Sequence, residues 1–569
     1  MKDFSFEIKS KDIAGRIGSA VINKKEIETP ALMPVYNINK QIIPIEELVK
    51  EFKVKALMTN AYTLLKNEEL KSKVLEKGIH KLMGYDGIVA TDSGSYQLMV
   101  YGSVNTTNKE IIEFQTRIGS DIGSFLDIPT LPDAFKPRAE EQLNETLKRA
   151  QEAINAEFTV NAGIQGGKHL YLREKAAREI GKDFDLIAIG GIVPLMESYR
   201  FKELVDIIAT VKKNAPLNRL VHAFGLGHPM VFGIAVALGC DLFDSAAYAL
   251  YAQDDRYITT EGTKHLSELD YLPCCCPVCN KYGIGMKELN GEERVGAIAR
   301  HNLYVSLEEI NKIKQAIREN SLWELIAVRC RSHPRLLEGF ERMLEHVEWL
   351  AQLDLITKKS AFKVTGPESE RRSEVLNVKK RIQQVDSACM SEVRIFGETP
   401  AELLDIYPFN SLVDDYGRQR VSDLEKVKAL MDYQFGQGAG TLITEKVRIK
   451  KSRTTRRIRW MYEGKEMIAS VRASDHFIIP HEKLAIRLKE KFESPKLRVI
   501  MTGDEDAVKF VREGRSVMCK YVRDVDENLR CGDECIVVDV NDNFVRTGTL
   551  ALSPREIKDF KRGAAVRVR

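Results

Sequence analysis

The sequence predicts an α/β protein whose first part is a closed (β/α)8 TIM barrel. Within the first 250 of the 569 residues, eight short apolar runs each end in a small or polar residue. Each run is followed by a helical or loop segment, and strands that alternate with helices are typical of a parallel sheet. Eight such units are the number that closes a barrel. The runs cover residues 31–36, 55–62, 87–94, 122–130, 158–167, 186–195, 219–229 and 240–248.

The remainder of the chain predicts further domains, because 569 residues are too many for one hydrophobic core and indicate about three to five domains. We expect the barrel domain at residues 1–355, with a small hairpin ahead of its first strand. We expect a small α+β linker domain at 356–438, and its first part includes a polar linker at 358–372. A domain at 439–495 follows, and then a domain of short strands and glycine turns at 496–569.

Hydropathy and the N-terminal sequence predict the compartment. No apolar run approaches the roughly 18 to 20 residues that a membrane span needs. No targeting segment is recognisable at the start of the sequence. We therefore expect a cytoplasmic protein with no membrane partner.

Polar residues and glycines follow the predicted barrel strands at the end where TIM-barrel enzymes carry their active sites. Asp92 and Asp244 end the third and eighth strands, which face one another across the mouth of a closed barrel. Two carboxylates with a substrate between them favour chemistry at a glycosidic carbon, with one as nucleophile and one as general acid/base. Either aspartate can instead be a simple helix cap. The strand-end candidates are Asp92, Asp127, Gln165, Gly190, Gly191, Gly227, His228 and Asp244.

Two of these candidates complement the edge of a guanine base. An ionised Asp127 accepts hydrogen bonds from N–H groups, whereas the amide of Gln165 and the nearby glycine N–H groups donate to a carbonyl oxygen. Guanine or a close analogue presents N–H groups beside an oxygen acceptor. Tyr96, one turn beyond Asp92, is placed either to stack on that base or to pack under the loop.

A cysteine cluster predicts a metal site. Cys274, Cys276 and Cys279 form a C-x-C-x-x-C loop, and His301 follows in a segment with helical periodicity. Three thiolates and one imidazole close a tetrahedron, so we expect one structural Zn²⁺ held by the segment 274–301, with no position left for an activated water. Cys275 is expected to point away, although an exchange of roles with Cys274 stays open. A disulfide cluster is the alternative, but six scattered thiols suit a reducing compartment.

Basic residues cluster in the domain at 439–495, although the net charge of the chain is only +4. The cluster contains no acidic residue, and its members are Lys446, Arg448, Lys450, Lys451, Arg453, Arg456, Arg457 and Arg459. Alternation of Val447, Ile449, Ile458 and Trp460 with basic residues predicts a hairpin with one apolar and one cationic face. A solvated charged surface is the alternative, but the missing counter-charge favours binding of nucleic-acid phosphates.

The motifs TDSGSYQ, LDIP, IQGG, IGGIVPL, FGLGHP, FDSA and PCxCPVC with a later histidine occur in this order, and residues 1 to about 350 resemble tRNA-guanine transglycosylases. The resemblance implies base exchange, in which a carboxylate attacks the ribose C1′, guanine leaves, a glycosyl-enzyme ester forms and a 7-deazaguanine enters. Asp244 resembles the nucleophile and Asp92 the general acid/base, and these roles have been assigned both ways within the family. The substrate-binding positions implied are Ser93, Tyr96 (commonly Phe in relatives), Asp127, Gln165, Gly190 and Gly191.

The C-terminal third refines this resemblance. Residues from about 496 to 569 resemble a PUA domain, a small RNA-binding β-barrel. A barrel joined to intermediate domains and a PUA domain is similar to archaeal members of the family, which insert 7-cyano-7-deazaguanine at position 15 of the tRNA D-loop for archaeosine synthesis. The resemblance implies tRNA, free guanine and free 7-cyano-7-deazaguanine as partners, a homodimer, and no redox cofactor.

Three rival functions remain at this point. An archaeosine synthase-like paralogue shares the C-terminal domains but is expected to lack the paired aspartates. A non-catalytic tRNA-binding protein would retain a barrel without catalytic activity. This rival is disfavoured by the presence of Asp92, Asp127, Gln165 and Asp244. An anticodon-directed transglycosylase with an added RNA-binding tail would differ only in the guanine that it exchanges.

Overall fold

The computed structural model describes residues 3–95, 97, 105–413 and 421–569. The chain divides into two compact units. Unit 1 comprises Met1–Arg318 and Leu325–Met343, and unit 2 comprises Glu319–Glu324 and Leu344–Arg569. Among the described residues, no helix combines the length and the apolar character that a membrane crossing requires.

A three-stranded antiparallel sheet precedes the barrel. The predicted hairpin has two strands, so the prediction missed one strand of this sheet. Its strands are β1 (Phe4–Asp12), β2 (Gly15–Ile22) and β3 (Lys25–Thr29), in that order. Asn23 and Lys24, which join β2 to β3, both have positive φ angles, as the tight turn of a two-residue hairpin requires. Only five residues long and carrying three charges, β3 has an apolar signal too weak to detect in the sequence.

Eight parallel strands form the barrel, which confirms the predicted fold class of unit 1. They are β4 (Ala31–Pro34), β5 (Ala56–Asn60), β6 (Ile88–Asp92), β7 (Ile122–Gly123), β8 (Thr159–Ile164), β9 (Leu186–Ile189), β10 (Leu220–Ala223) and β11 (Leu242–Ser245). The sheet order is β4-β11-β10-β9-β8-β7-β6-β5. A parallel bridge between Val35 and Met58 brings the first and last strands of this order together.

Helices separate the barrel strands and pack against them. The helix Pro229–Ala237 is buried at every residue, whereas Phe201–Asn214 buries one face and places Lys213 and Asn214 outside the core. Helices described before the cysteine cluster are Ile45–Lys50, Ala61–Lys66, Glu68–Lys77, Ile79–Met83, Asn108–Ile118, Lys136–Ala153, Leu170–Asp183, Val193–Glu197, Phe201–Asn214, Pro229–Ala237 and Ala247–Gln253. After β11 a short hairpin forms from β12 (Arg256–Thr259) and β13 (Gly262–His265), followed by helices Pro277–Tyr282, Gly291–Glu319, Leu322–Cys330 and Pro334–Met343.

The described residues of unit 2 form three further sheets. A two-stranded sheet pairs β14 (Met390–Val393) with β15 (Gly397–Pro400), and a four-stranded sheet contains β16 (Val447–Lys451), β17 (Ile458–Glu463), β18 (Glu466–Val471) and β19 (Ile478–Pro480). The last sheet contains β20 (Arg498–Met501), β21 (Val517–Met518), β22 (Val522–Val525), β23 (Glu534–Val538), β24 (Phe544–Leu550) and β25 (Ala564–Val568), in the order β21-β25-β24-β23-β20-β22. The helices are Val347–Leu353, Ser373–Ile382, Asp423–Phe435, Glu482–Lys491, Glu505–Arg512 and Pro554–Asp559.

The segment 358–372 is folded into unit 2 at both ends and is not an exposed polar linker. Lys358 and Arg372 are buried. The Lys358 ammonium lies 3.4 Å from Asp354, and the Arg372 guanidinium lies 2.5 Å from Glu374 and 3.1 Å from Glu324. Charged side chains tolerate burial only when they are paired in this way, and composition alone does not reveal the pairing.

Candidate active site

A cavity of about 410 Å³ opens where the barrel strands end. Among the residues that line it are the strand-end candidates Asp92, Asp127, Gln165, Gly190, Gly191, Gly227 and Asp244. Ser93 does not line the cavity, and its buried hydroxyl donates to the carbonyl of Phe125 at 2.9 Å. The serines that line the cavity are Ser95 and Ser245. Tyr96 lies outside the described residues.

His228 takes a structural position instead of lining the cavity. Its Nδ1 accepts a hydrogen bond from the N–H of Met230 and so caps the helix Pro229–Ala237. Its Nε2 lies 3.0 Å from the hydroxyl of Thr263. The side chain is therefore occupied by the local fold.

Asp92 ends β6 with its carboxyl group buried. Asn60, at the end of β5, donates from Nδ2 to Asp92 Oδ2 at 3.0 Å. Burial raises the pKa of Asp92 to about 7, and the nearby carboxylates of Asp127 and Asp244 add to the rise. A substantial fraction of Asp92 is therefore protonated at neutral pH. Asn60 was not predicted, since an asparagine that also caps a helix has no distinctive sequence signal.

Asp244 is held from inside the barrel. Its Oδ1 lies 2.9 Å from His222 Nε2 and accepts a hydrogen bond from the N–H of Gly225 at 2.5 Å. On the far side of the ring, His222 Nδ1 lies 3.0 Å from Asn161 Nδ2. With the Asn161 amide assigned in this orientation, Nδ1 accepts and Nε2–H donates to Asp244. Oδ2 is then the oxygen left for a substrate.

These contacts exclude the helix-cap alternative for Asp244. The helix Ala247–Gln253 that follows is preceded by Ala246 and has no side-chain cap. His222 and Asn161 were not predicted, because both lie within buried strands, where a sequence gives no sign of what a polar side chain contacts.

Asp127 and Gln165 form one unit on another side of the cavity. Gln165 Nε2 donates to Asp127 Oδ2 at 2.6 Å, and the N–H of Thr130 donates to Gln165 Oε1 at 3.2 Å. These two bonds fix the orientation of the Gln165 amide. They use its oxygen and one of its two N–H groups, so the second N–H takes part in neither bond. A Cβ on Gly190 would lie 2.2 Å from Gln165 Nε2, so any side chain there would displace the amide of Gln165. Burial raises the pKa of Asp127.

A buried arginine supports this side of the cavity. The Arg173 guanidinium donates to the carbonyl oxygens of Gly167 at 2.9 Å, Ile164 at 2.5 Å and Gly190 at 2.8 Å. Burial lowers its pKa to about 9, and the charge of Asp127 opposes that fall. Arg173 thereby ties together the two loops that carry Gln165 and Gly190. It lies on a helix, where its spacing resembles that of any surface arginine, and it was not predicted.

The four predicted metal ligands converge. One ligand atom from each of Cys274, Cys276, Cys279 and His301 lies within 4.8 Å of all the others, and Cys275 is exposed and outside the group. His301 Nε2 donates to the carbonyl of Ile258 at 2.9 Å, which leaves Nδ1 for a metal. Three thiolates and one imidazole in this arrangement fit a tetrahedral metal ion.

The predicted basic hairpin forms between β16 and β17. Its Lys and Arg side chains are exposed, except that Arg459 is half-buried. Trp460 was predicted on the apolar face, but it pairs with Lys450 and is exposed, whereas Met461 takes the buried position opposite Ile449. The predicted alternation holds in β16, but the predicted apolar face of β17 was wrong, because the sequence does not show which face of one strand lies beside which face of the other.

A closed barrel with acidic and amide side chains around a cavity at its strand ends defines the class of TIM-barrel enzymes. Residues 11–335 match the family described as queuine tRNA-ribosyltransferase, residues 425–495 match the patch-forming domain C2 of tRNA-guanine transglycosylase, and residues 500–569 match the PUA domain. The chain belongs to the queuine tRNA-ribosyltransferase family, and it is a tRNA-ribosyltransferase. This confirms the resemblance and the PUA domain at the C-terminus.

Relatives match over the whole chain. Proteins called tRNA-guanine(15) transglycosylase from Thermococcus onnurineus, Thermococcus kodakarensis and Pyrococcus abyssi are 45%, 46% and 46% identical to it. Each alignment covers 100% of this chain and 99%, 99% and 98% of the respective relative.

Proposed function

We propose that the protein exchanges the guanine at position 15 of tRNA for 7-cyano-7-deazaguanine, the first step of archaeosine formation. The observation that carries the chemistry is the convergence of Asp92, Asp244 and the Asp127–Gln165 pair on one cavity. The position is supported by relatives that bear the name tRNA-guanine(15) transglycosylase and align over the full chain. We propose tRNA and both free bases as partners of a cytoplasmic homodimer, as the family resemblance implies.

The reaction proceeds by two displacements at the ribose C1′. In the first, Asp244 Oδ2 attacks C1′, the bond from C1′ to guanine breaks, and Asp92 gives its proton to the departing base. In the second, a nitrogen of 7-cyano-7-deazaguanine attacks C1′, the ester bond to Asp244 breaks, and Asp92 takes the proton from the incoming base. The raised pKa of Asp92 supports its role as the acid.

Both bases are recognised by the edge that they share. Asp127 accepts from the N–H groups of the base, while Gln165 and the backbone N–H of Gly191 donate to its carbonyl oxygen. The N–H of Gly190 donates to the carbonyl of Ile164 at 3.2 Å, and the contribution of Gly190 is the space that its missing side chain leaves beside the Gln165 amide. Arg173 keeps these donors in place through the carbonyls of Gly167 and Gly190. A base that lacks the amino group would remove one hydrogen-bond donor from the buried Asp127, which would keep its contact with Gln165, and the lost bond is a penalty on binding.

One structural Zn²⁺ belongs to this proposal. Cys274, Cys276, Cys279 and His301 would hold it, and their chemistry fits that ion. It would supply stability and no reacting group, because protein atoms fill all four positions.

Exchange of radiolabelled guanine into a tRNA transcript, followed by mapping of the labelled position, tests the proposal. We expect label at position 15. Label in the anticodon would keep the chemistry and overturn the choice of nucleotide. A protein that binds tRNA without incorporating label would favour the non-catalytic rival, and conversion of a nitrile already present in tRNA would favour the archaeosine synthase-like rival.

The first displacement is expected to slow as the pH rises through about 7. Asp92 has a pKa of about 7, so the protonated acid is lost above that pH. The rate of adduct formation in a single turnover should be nearly constant about one unit below pH 7, halve at about pH 7 and fall about ten-fold per unit well above it. The matched control is Asp92→Asn, whose residual rate should not fall in this way. A wild-type rate that rises with pH would show that this step needs the ionised carboxylate.

Removal of the His222 donor is expected to lower kcat by about 10²-fold with little change in KM. His222→Phe keeps a ring but loses the Nε2–H that holds Asp244 Oδ1. His222→Gln retains an N–H donor and should recover part of the rate. Steady-state kinetics and thermal melts of both variants check this result. Equal rates for the two variants at equal stability would show that the hydrogen bond does not position Asp244.

A further inference from the structure

One face of the four-stranded sheet in unit 2 carries aromatic and basic side chains together. In the register of β16 and β17, Lys450 pairs with Trp460 and Arg448 pairs with Tyr462, so these four side chains project from the same side. Met461, between the two aromatic residues, projects from the opposite side and is fully buried. We call the four residues on the open side the aromatic–basic face.

The two cations of this face lie against an aromatic ring. The Arg448 guanidinium carbon is 5.3 Å from the centroid of the Tyr462 ring, and Lys450 Nζ is 4.8 Å from it. Within the described parts of the chain, neither cation has an ion-pair partner, whereas the adjacent Lys451 pairs with Asp423 at 2.8 Å. A cation held over a ring, with no carboxylate beside it, keeps its charge available for a phosphate.

Trp460 differs from the other tryptophans of the chain. Its exposed fraction is 39%, while Trp323 and Trp349 are 2% and 5% exposed. An open indole beside uncompensated cations is the arrangement by which proteins bind single-stranded nucleic acid, because bases stack on the ring and phosphates contact the cations. Phosphate binding alone would make no use of the indole.

We infer that the aromatic–basic face binds an unstacked nucleobase of the tRNA, with the base on the Trp460 indole and the adjoining phosphates on Arg448 and Lys450. The inference rests on the proposed function in taking tRNA as the ligand. Extraction of a guanine from the folded core of tRNA leaves neighbouring bases without stacking partners. The indole offers such a base a new partner and so lowers the cost of keeping the tRNA open.

Intrinsic tryptophan fluorescence tests the inference in the full-length protein, since the other two tryptophans are buried. Titration with a tRNA transcript is expected to quench the emission, and a short single-stranded oligoadenylate is expected to do the same at higher concentration. Perfectly paired duplex RNA should quench far less. Trp460→Leu should lose the quenching and bind tRNA about ten-fold more weakly, measured by filter binding.

Two variants separate stacking from charge. Trp460→Phe keeps a ring and should retain most of the affinity, while Lys450→Gln should reduce the salt dependence of binding. Equal affinity for wild type and Trp460→Leu, with both folded by circular dichroism, would overturn the inference, as would equal quenching by duplex RNA. The inactive variant Asp244→Asn should show wild-type quenching. Quenching without base exchange in wild type would refute the proposed function alone, and exchange without quenching would refute only this inference.

Discussion

Asp244→Asn is expected to abolish base exchange, with a loss of about 10⁴-fold or more, and to form no covalent adduct with tRNA. The substitution removes the carboxylate oxygen that would bond to C1′, and an amide is a poor nucleophile. Asn keeps the volume of Asp244 and an oxygen to accept from His222 and Gly225, so the fold should persist. Labelled tRNA that migrates with the protein on a denaturing gel measures the adduct.

Asp92→Asn is the matched control for this experiment. It retains the nucleophile but lacks the proton donor, so exchange should fall by about 10²-fold to 10⁴-fold while the adduct still forms slowly. The adduct should also accumulate in this variant, because no carboxylate is left at position 92 to take the proton of the incoming nucleobase. An adduct in Asp244→Asn and none in Asp92→Asn would reverse the two roles.

Cys279→Ala is expected to lose the bound metal and to lower the free energy of unfolding by about 4 kcal/mol or more. The metal that we propose would link the loop 274–279 to the helix Gly291–Glu319, and through His301 and Ile258 to the hairpin after β11. Without the metal these segments lose a shared crosslink. Metal content by mass spectrometry and thermal unfolding measure the two effects.

Cys275→Ala provides the control, because Cys275 is exposed and outside the ligand group. It should keep one metal ion per chain and the wild-type melting temperature. Loss of metal from Cys275→Ala together with retention in Cys274→Ala would show that the two adjacent cysteines exchange roles.

The sequence predicted those parts of the site that depend on local pattern. Asp92, Asp127, Gln165 and Asp244 follow apolar runs, and the parallel order of the strands is enough to bring their ends together. The spacing of the cysteines is likewise local. The catalytic and base-binding roles of these residues stay predictions.

The remainder depends on tertiary contacts that no local pattern encodes. His222 and Asn161 lie in buried strands and Arg173 lies on a partly exposed helix, and the significance of each is seen only when the partner strand or loop is placed beside it. The orientation of Trp460 depends on which residue of β16 it pairs with, and that register includes an irregularity between Lys450 and Lys451. The partners of buried polar residues and the register of paired strands both depend on contacts between segments that are separate in the sequence.

The division of the chain into two units has an evolutionary consequence. The groups that we propose to break and remake the glycosidic bond lie in unit 1, whereas the basic hairpin lies in unit 2. Substitutions in the basic hairpin therefore replace none of the groups that we propose for the chemistry. If the proposed tRNA contacts of unit 2 select the nucleotide, a lineage can change that selection while it inherits the groups proposed for base exchange.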